Sequence, residues 1–171
     1  DLVDNLIHNN IMPGEKLMET AGVSESEVLG AIVLNDMAKG DDTISGSRPT
    51  WKQSELDAVS DFPNYDAQQS FLKGELVPYG TKGSVRPDYY VTGHSVDIKN
   101  YNLETESGRR NLARNVQQQY LRRVSNLPNQ TVQSVMVDTR GQHVTDTTLS
   151  ELYDDIMKRT DGNVEVLFKM N

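Results

Sequence analysis

The chain contains no cysteine, so it carries neither a disulfide nor a thiolate metal site, and its fold is indifferent to the redox state around it. It has no run of about 18 apolar residues, which excludes a membrane-spanning helix. Its first residues show no succession of basic, apolar and small side chains, so no signal peptide is expected in this stretch. The spacing G-x-x-x-x-G-K-[ST] is also missing. Gly80-Thr81-Lys82-Gly83-Ser84 is glycine-rich but leads into a strand pattern, which argues against a nucleoside triphosphate site. His8 and His143 have no partners at ligand spacing.

What is present is enough for one domain with a real core, preceded by a short appended segment: 171 residues. The net charge of −8 argues at first against a nucleic-acid partner. Its distribution argues the other way. Residues 73–123 hold nine Lys or Arg against five acids, whereas the rest of the chain holds eight against 20. A local positive strip is what phosphate binding requires.

Residues 1–48 read as a separate helical segment with a linker. A short helix over 1–10 is cut off by Pro13-Gly14, and a second is capped by Ser24 with Glu27 three residues on. The turn-rich stretch 40–49 is the linker, and 49–171 the main domain. There Thr50 caps a helix to about Ser60 with Leu56, Val59 and Trp51 inward, followed by a helix over 65–73. Strands are expected near 75–79, 85–91 and 95–100, then a helix over 107–124 closed by Asn126-Leu127-Pro128. A strand at 131–138, a helix opened by the capping box Thr148–Glu151, and a strand at 164–169 complete the order. The expected class is α/β (α+β): helix, three strands, helix, strand, helix, strand, behind a small helical segment.

The chemistry concentrates in Ser84–Asn100. Two short strands are joined by a tight turn at Thr92-Gly93-His94. Asp97 and Lys99 are two residues apart and project to one side of their strand, and folding at Gly93 carries Asp88 back toward Asp97. Two carboxylates and an ammonium then converge, which suits an oxygen-liganded divalent cation beside a positive charge. His94, at the hairpin tip, reads as a turn residue. The 107–124 helix turns Leu112, Val116, Tyr120 and Val124 to the sheet, leaving Arg110, Arg114, Gln117, Gln118 and Arg122 toward solvent or substrate.

Pro87-Asp88 and Asp97-Ile98-Lys99 resemble the PD-(D/E)xK signature of restriction-endonuclease-like nucleases. The wider run from Tyr79 to Asp88, followed by Asp97-Ile98-Lys99-Asn100-Tyr101, is similar to nuclease toxin domains at the C-termini of bacterial polymorphic and contact-dependent growth-inhibition toxins. The resemblance covers residues 51–171, with Asp97 where such families often have Glu. It implies a metal-dependent nuclease with Asp88 and Asp97 as metal ligands, and Lys99 orienting or deprotonating the attacking water. Glu55 is favoured as a third acid, with Glu75 the alternative. Mg²⁺ is the expected ion, with Mn²⁺ or Zn²⁺ as alternatives. Gln118 or Gln117 is implied near the metal; Arg86 and Lys82, with Arg110 and Arg114, are candidate phosphate contacts. The substrate would be RNA (a tRNA is plausible for the class) or DNA. The domain would be delivered by a larger secreted or cell-surface toxin into the target-cell cytoplasm, and a cognate acidic immunity protein would block it. The other reading is a non-catalytic nucleic-acid- or protein-binding module on the same fold.

Overall fold

Strands buried on both faces read as nearly continuous apolar runs, and two such runs lie at the centre of this fold. The structure, a computed structural model, describes residues 6, 8–21 and 47–171. Strand β7 (Val132–Asp138) and strand β8 (Val164–Lys169) are buried along almost their whole length, as is β6 (His94–Lys99). These three are mutually parallel, with Asp97 opposite Val135 and Val135 opposite Val166. Helices α3 (Glu106–Val124) and α4 (Asp146–Arg159) make the two crossovers. Each is fixed by local chemistry at its ends. Thr105 accepts the Gly108 amide and Thr145 accepts the Thr148 amide. Both helices begin with an acid and end with paired cations, as the helix dipole favours. The second cap lies three residues before the expected capping box, because Thr148 serves as the donor to Thr145.

An antiparallel hairpin extends the sheet on one side. Strand β5 (Tyr89–Val91) pairs with β6 through a two-residue turn in which Gly93 takes φ +88, and β2 (Asp66–Ala67) pairs with β5. On the other side β1 (Ile11–Pro13) pairs antiparallel with β8, giving the order β1-β8-β7-β6-β5-β2. Helix α1 (Gly14–Ala21) follows directly and sends the fully buried Leu17 into the core between the sheet and α3/α4. The opposite face is covered by α2 (Trp51–Asp57) and a 3₁₀ turn (Ala58–Ser60), where Ala58 and Phe62 pack on Tyr89, Val96, Ile98, Met136 and Leu167. Among the described residues no helix is long and apolar enough to cross a membrane.

Four expectations change. The described part of residues 1–48 is an edge strand and a core helix of the same sheet, not a separate segment. The helix expected from Ser24, most of the one over 1–10 and most of the linker lie outside the described residues. In place of a helix over 65–73 there are β2 and a second small sheet formed by β3 (Ser70–Leu72) and β4 (Glu75–Val77). Gln68, Lys73 and Gly74 all take positive φ, which turns the chain twice where a helix would need continuity. On α2 and the 3₁₀ turn after it, Leu56 (65% exposed), Val59 and Trp51 (60%) face outward, and the sheet-facing position of α2 is taken by Ser54, hydrogen-bonded to Asp138 at 2.8 Å. Val124 likewise leaves the apolar stripe of α3 and is exposed, while Leu112 and Val116 are buried and Tyr120 packs partly against them.

Candidate active site at the β5–β6 hairpin

The hairpin register pairs Tyr89 with Val96, so one step further along the ladder Asp88 lies opposite Asp97. The backbone locks this arrangement. The Asp88 amide donates to Asp97 Oδ1 at 3.3 Å, and Asp88 Oδ2 accepts the Ile98 amide at 2.8 Å. Alternation along β6 sends Val96 and Ile98 into the core under α2, and Asp97 and Lys99 to the other face, beneath α3.

Glu55 joins this pair from α2, whose position is fixed by the Tyr89 hydroxyl donating to the Glu55 carbonyl at 2.6 Å. Burial raises the pKa of the Glu55 carboxyl, and the neighbouring Asp88 charge and hydrogen bond raise it further. Glu75, the alternative third acid, is exposed on the separate β3–β4 sheet. The structure therefore gathers Glu55, Asp88, Asp97 and Lys99, and leaves Glu75 out.

Lys99 is nearly buried, and its ammonium donates to Asn115 Oδ1 at 2.8 Å and Gln119 Oε1 at 2.5 Å. Burial pulls its pKa down to about 8, against the opposing pull of Asp88. These partners correct the expectation for the helix amides. Gln118 is exposed on the outer face, and Gln117 receives Arg159 at 3.1 Å. The signal was in the sequence. Asn115, Gln119 and Arg123 recur every four residues, one position ahead of the apolar stripe Leu112–Val116–Tyr120, so they form a polar stripe beside it.

Arg123 was read only as part of the basic strip. It is 6% exposed and ion-pairs with Asp97, and its Nη2 donates to the Arg86 carbonyl at 3.2 Å. The buried Asp97–Arg123 pair also changes what Asp97 does. Its carboxylate is a structural counter-charge as well as a candidate ligand, so substitution of Asp97 is expected to weaken the fold.

Of the other candidate contacts, Lys82 and Arg86 are exposed next to the hairpin; Arg86 lies 4.5 Å over the Tyr79 ring, and its charge reaches Glu55. Arg110 and Arg114 are exposed on the outer face of α3, Arg110 pairing with Glu106 one turn earlier at 3.1 Å. His94 is more than a turn residue. Tyr65 Oη lies 2.5 Å from its Nδ1 and Ser134 Oγ 2.6 Å from its Nε2, and Ser134 donates on to Glu165. Tyr101 packs partly against the main core.

Whether these residues fit a divalent cation is decided by their donor chemistry. Asp88 and Asp97 face each other across the hairpin and Glu55 is crowded against Asp88, a concentration of carboxylate oxygen that hard cations favour. Among the described residues, however, no three acidic or histidine side chains are gathered tightly enough to hold an ion as they stand. One Asp97 oxygen is engaged by Arg123 and the other by the Asp88 amide. The donor types fit, and Arg123 occupies one of them. Comparison with protein families, curated proteins and solved structures finds no match to this chain.

Proposed function

We propose that the chain is a metal-dependent phosphodiesterase of the PD-(D/E)xK kind, with a restriction-endonuclease-like core, acting as a nuclease toxin domain. The observation that carries this reading is the pairing of Asp88 with Asp97 across the hairpin, with Lys99 on the same face as Asp97 and Glu55 beside Asp88. Core order supports it too: hairpin, α3, β7, α4, β8 follow one another as that fold requires.

Asp88, Asp97 and Glu55 would hold Mg²⁺, Mn²⁺ or Zn²⁺. A bound divalent cation supplies Lewis acidity at a phosphoryl oxygen and a water of lowered pKa. Lys99 sets its positive charge at the same edge of the sheet, where it offsets negative charge growing on the phosphate. Asn115 and Gln119 fix that ammonium in one direction, so it reorganises little when the substrate arrives. Lys82 and Arg86 flank the hairpin and suit the adjoining phosphates, Arg86 as a fork and Lys82 as a point charge. Arg110 and Arg114 extend the positive surface along α3. Phosphate contacts of this kind read no sequence, so the substrate class is RNA (tRNA included) or DNA, recognised by backbone and shape. An acidic immunity protein and delivery by a larger toxin into a target cell complete the proposal.

The Asp97–Arg123 pair favours a second reading, a binding module in which the acids are purely structural. The deciding experiment incubates the protein with plasmid and total RNA, with Mg²⁺ or with EDTA. Asp88→Asn is the informative variant, since an Asn oxygen still accepts the Ile98 amide while the charge is lost. Cleavage abolished by EDTA and reduced by orders of magnitude in Asp88→Asn is the expected result. No cleavage with any divalent ion, or wild-type cleavage by Asp88→Asn, refutes the enzyme.

A further inference from the structure

Arg123 lies in an unusual state for a buried guanidinium. Arg carries five N–H donors in a rigid fork, and a buried donor left unmade is costly. Here only Nη2 is properly bonded, to the Arg86 carbonyl. Nη1 ion-pairs with Asp97 Oδ2, and Nε has no hydrogen-bond partner among the described residues. A single good partner would fill the fork bidentately, as Arg–carboxylate pairs commonly do.

Beside Arg123 lies an open groove of about 340 Å³ between the end of α3 and the start of β7. Arg123 is one of its lining residues, together with Tyr120, Val132 and three residues that carry amide side chains, Asn129, Gln133 and Asn163. Amide oxygens are acceptors that a guanidinium can use.

We propose that Arg123 is a built-in competitor for the divalent cation: it neutralises Asp97 when no cation is bound, and it releases that carboxylate by turning its guanidinium into the groove beside Tyr120. Both cations draw on the Asp97 carboxylate, whose Oδ2 pairs with Arg123 and whose Oδ1 accepts the Asp88 amide, and each opposes the other's charge at short range. The strength of metal binding is then set by the Arg123 equilibrium as much as by the carboxylates. A competent state that is only fractionally populated weakens apparent affinity by that fraction. The inference rests on the metal-dependent reading of the site.

Two measurements test it on the full chain. In calorimetric titrations with Mg²⁺ and Mn²⁺, Arg123→Gln is expected to bind at least about tenfold more tightly than the wild type, since the competing charge is gone. Equal or weaker binding overturns the competition. Because Arg123→Gln leaves Asp97 buried without its partner, the second measurement uses the unaltered protein. The Arg123 Nε–H resonance, assigned by its loss in Arg123→Lys, is followed by ¹⁵N NMR during Mg²⁺ addition. It is expected to shift with the calorimetric midpoint, and a resonance unmoved at saturating Mg²⁺ overturns the proposal even if Arg123→Gln does not fold. Asp88→Asn separates the two failures. Wild-type binding that is lost in Asp88→Asn but unchanged in Arg123→Gln removes the competition alone. No binding by any of the three proteins removes the metal site with it.

Discussion

Replacing Asp97 with Asn tests the architecture before it tests any chemistry. Asp97 is 4% exposed and Arg123 6%, and the two pair beneath α3. Removing one charge of such a pair leaves the other desolvated and uncompensated, which costs about 3–5 kcal/mol. An Asn oxygen still accepts from a guanidinium, so the lower end of that range applies. A chain of 171 residues loses roughly 2–4 °C of midpoint per kcal/mol, so at about 3 kcal/mol a fall of roughly 6–12 °C is expected in calorimetry. The double variant Asp97→Asn/Arg123→Met removes both charges and should recover a large part of the loss, because burying two neutral groups carries no Born penalty. Urea unfolding of both single variants and the double variant gives the coupling directly. An Asp97→Asn change within about 0.5 kcal/mol of wild type, the size of an ordinary surface substitution, refutes the buried pair. The result also governs how activity is read, since lost cleavage in Asp97→Asn mixes lost ligand charge with a weakened fold, whereas Asp88→Asn does not.

Starting the chain at Arg48 removes β1, α1 and the fully buried Leu17, so the truncated protein should lose cooperative unfolding, and Leu17→Ala alone should cost about 2–5 kcal/mol in denaturant titration. Lys99 is expected to act as its ammonium, so cleavage should fall as pH rises through about 8, and the break should vanish in Lys99→Met; a rate that climbs through that pH and then levels would make Lys99 the base instead. Its lowered pKa also means that the unfolded chain binds more protons between about 8 and 10.5, so the Lys99 contribution to stability should rise with pH across that window, as pH-dependent denaturation of wild type against Lys99→Met would show. Arg110→Ala with Arg114→Ala should weaken nucleic-acid binding and lower the salt slope by roughly one to two, with turnover at saturation little changed; an unchanged slope removes this face of α3 as a phosphate contact.

Parts of this protein whose causes are local are legible in the amino-acid order alone. Thr50 and Thr105 cap helices with their own hydroxyls, and the four-residue apolar recurrence of Leu112 and Val116 sets the inward face of α3. The runs at 132–138 and 164–169 declare buried strands, and Gly93 closes a hairpin whose register sets Asp88 opposite Asp97. Alternation then puts Lys99 on the same face as Asp97. What these elements meet depends on how they pack together. Ile11 pairs with Lys169 across nearly the whole chain, and no periodicity in a short N-terminal stretch encodes so distant a partner. Ser54 overrides Leu56 and Val59 as the inward side of α2, because Asp138 on the sheet needs a hydrogen bond there. The choice of Glu55 over Glu75 follows from which of two elements docks beside Asp88, and the same holds for Gln119 over Gln118 at Lys99. Arg123 is the sharpest case: in sequence it is one cation of a basic strip, and in the fold it is the counter-charge of Asp97. Local sequence fixes where a side chain points along its own element, while burial and the need to compensate buried charge fix what it faces.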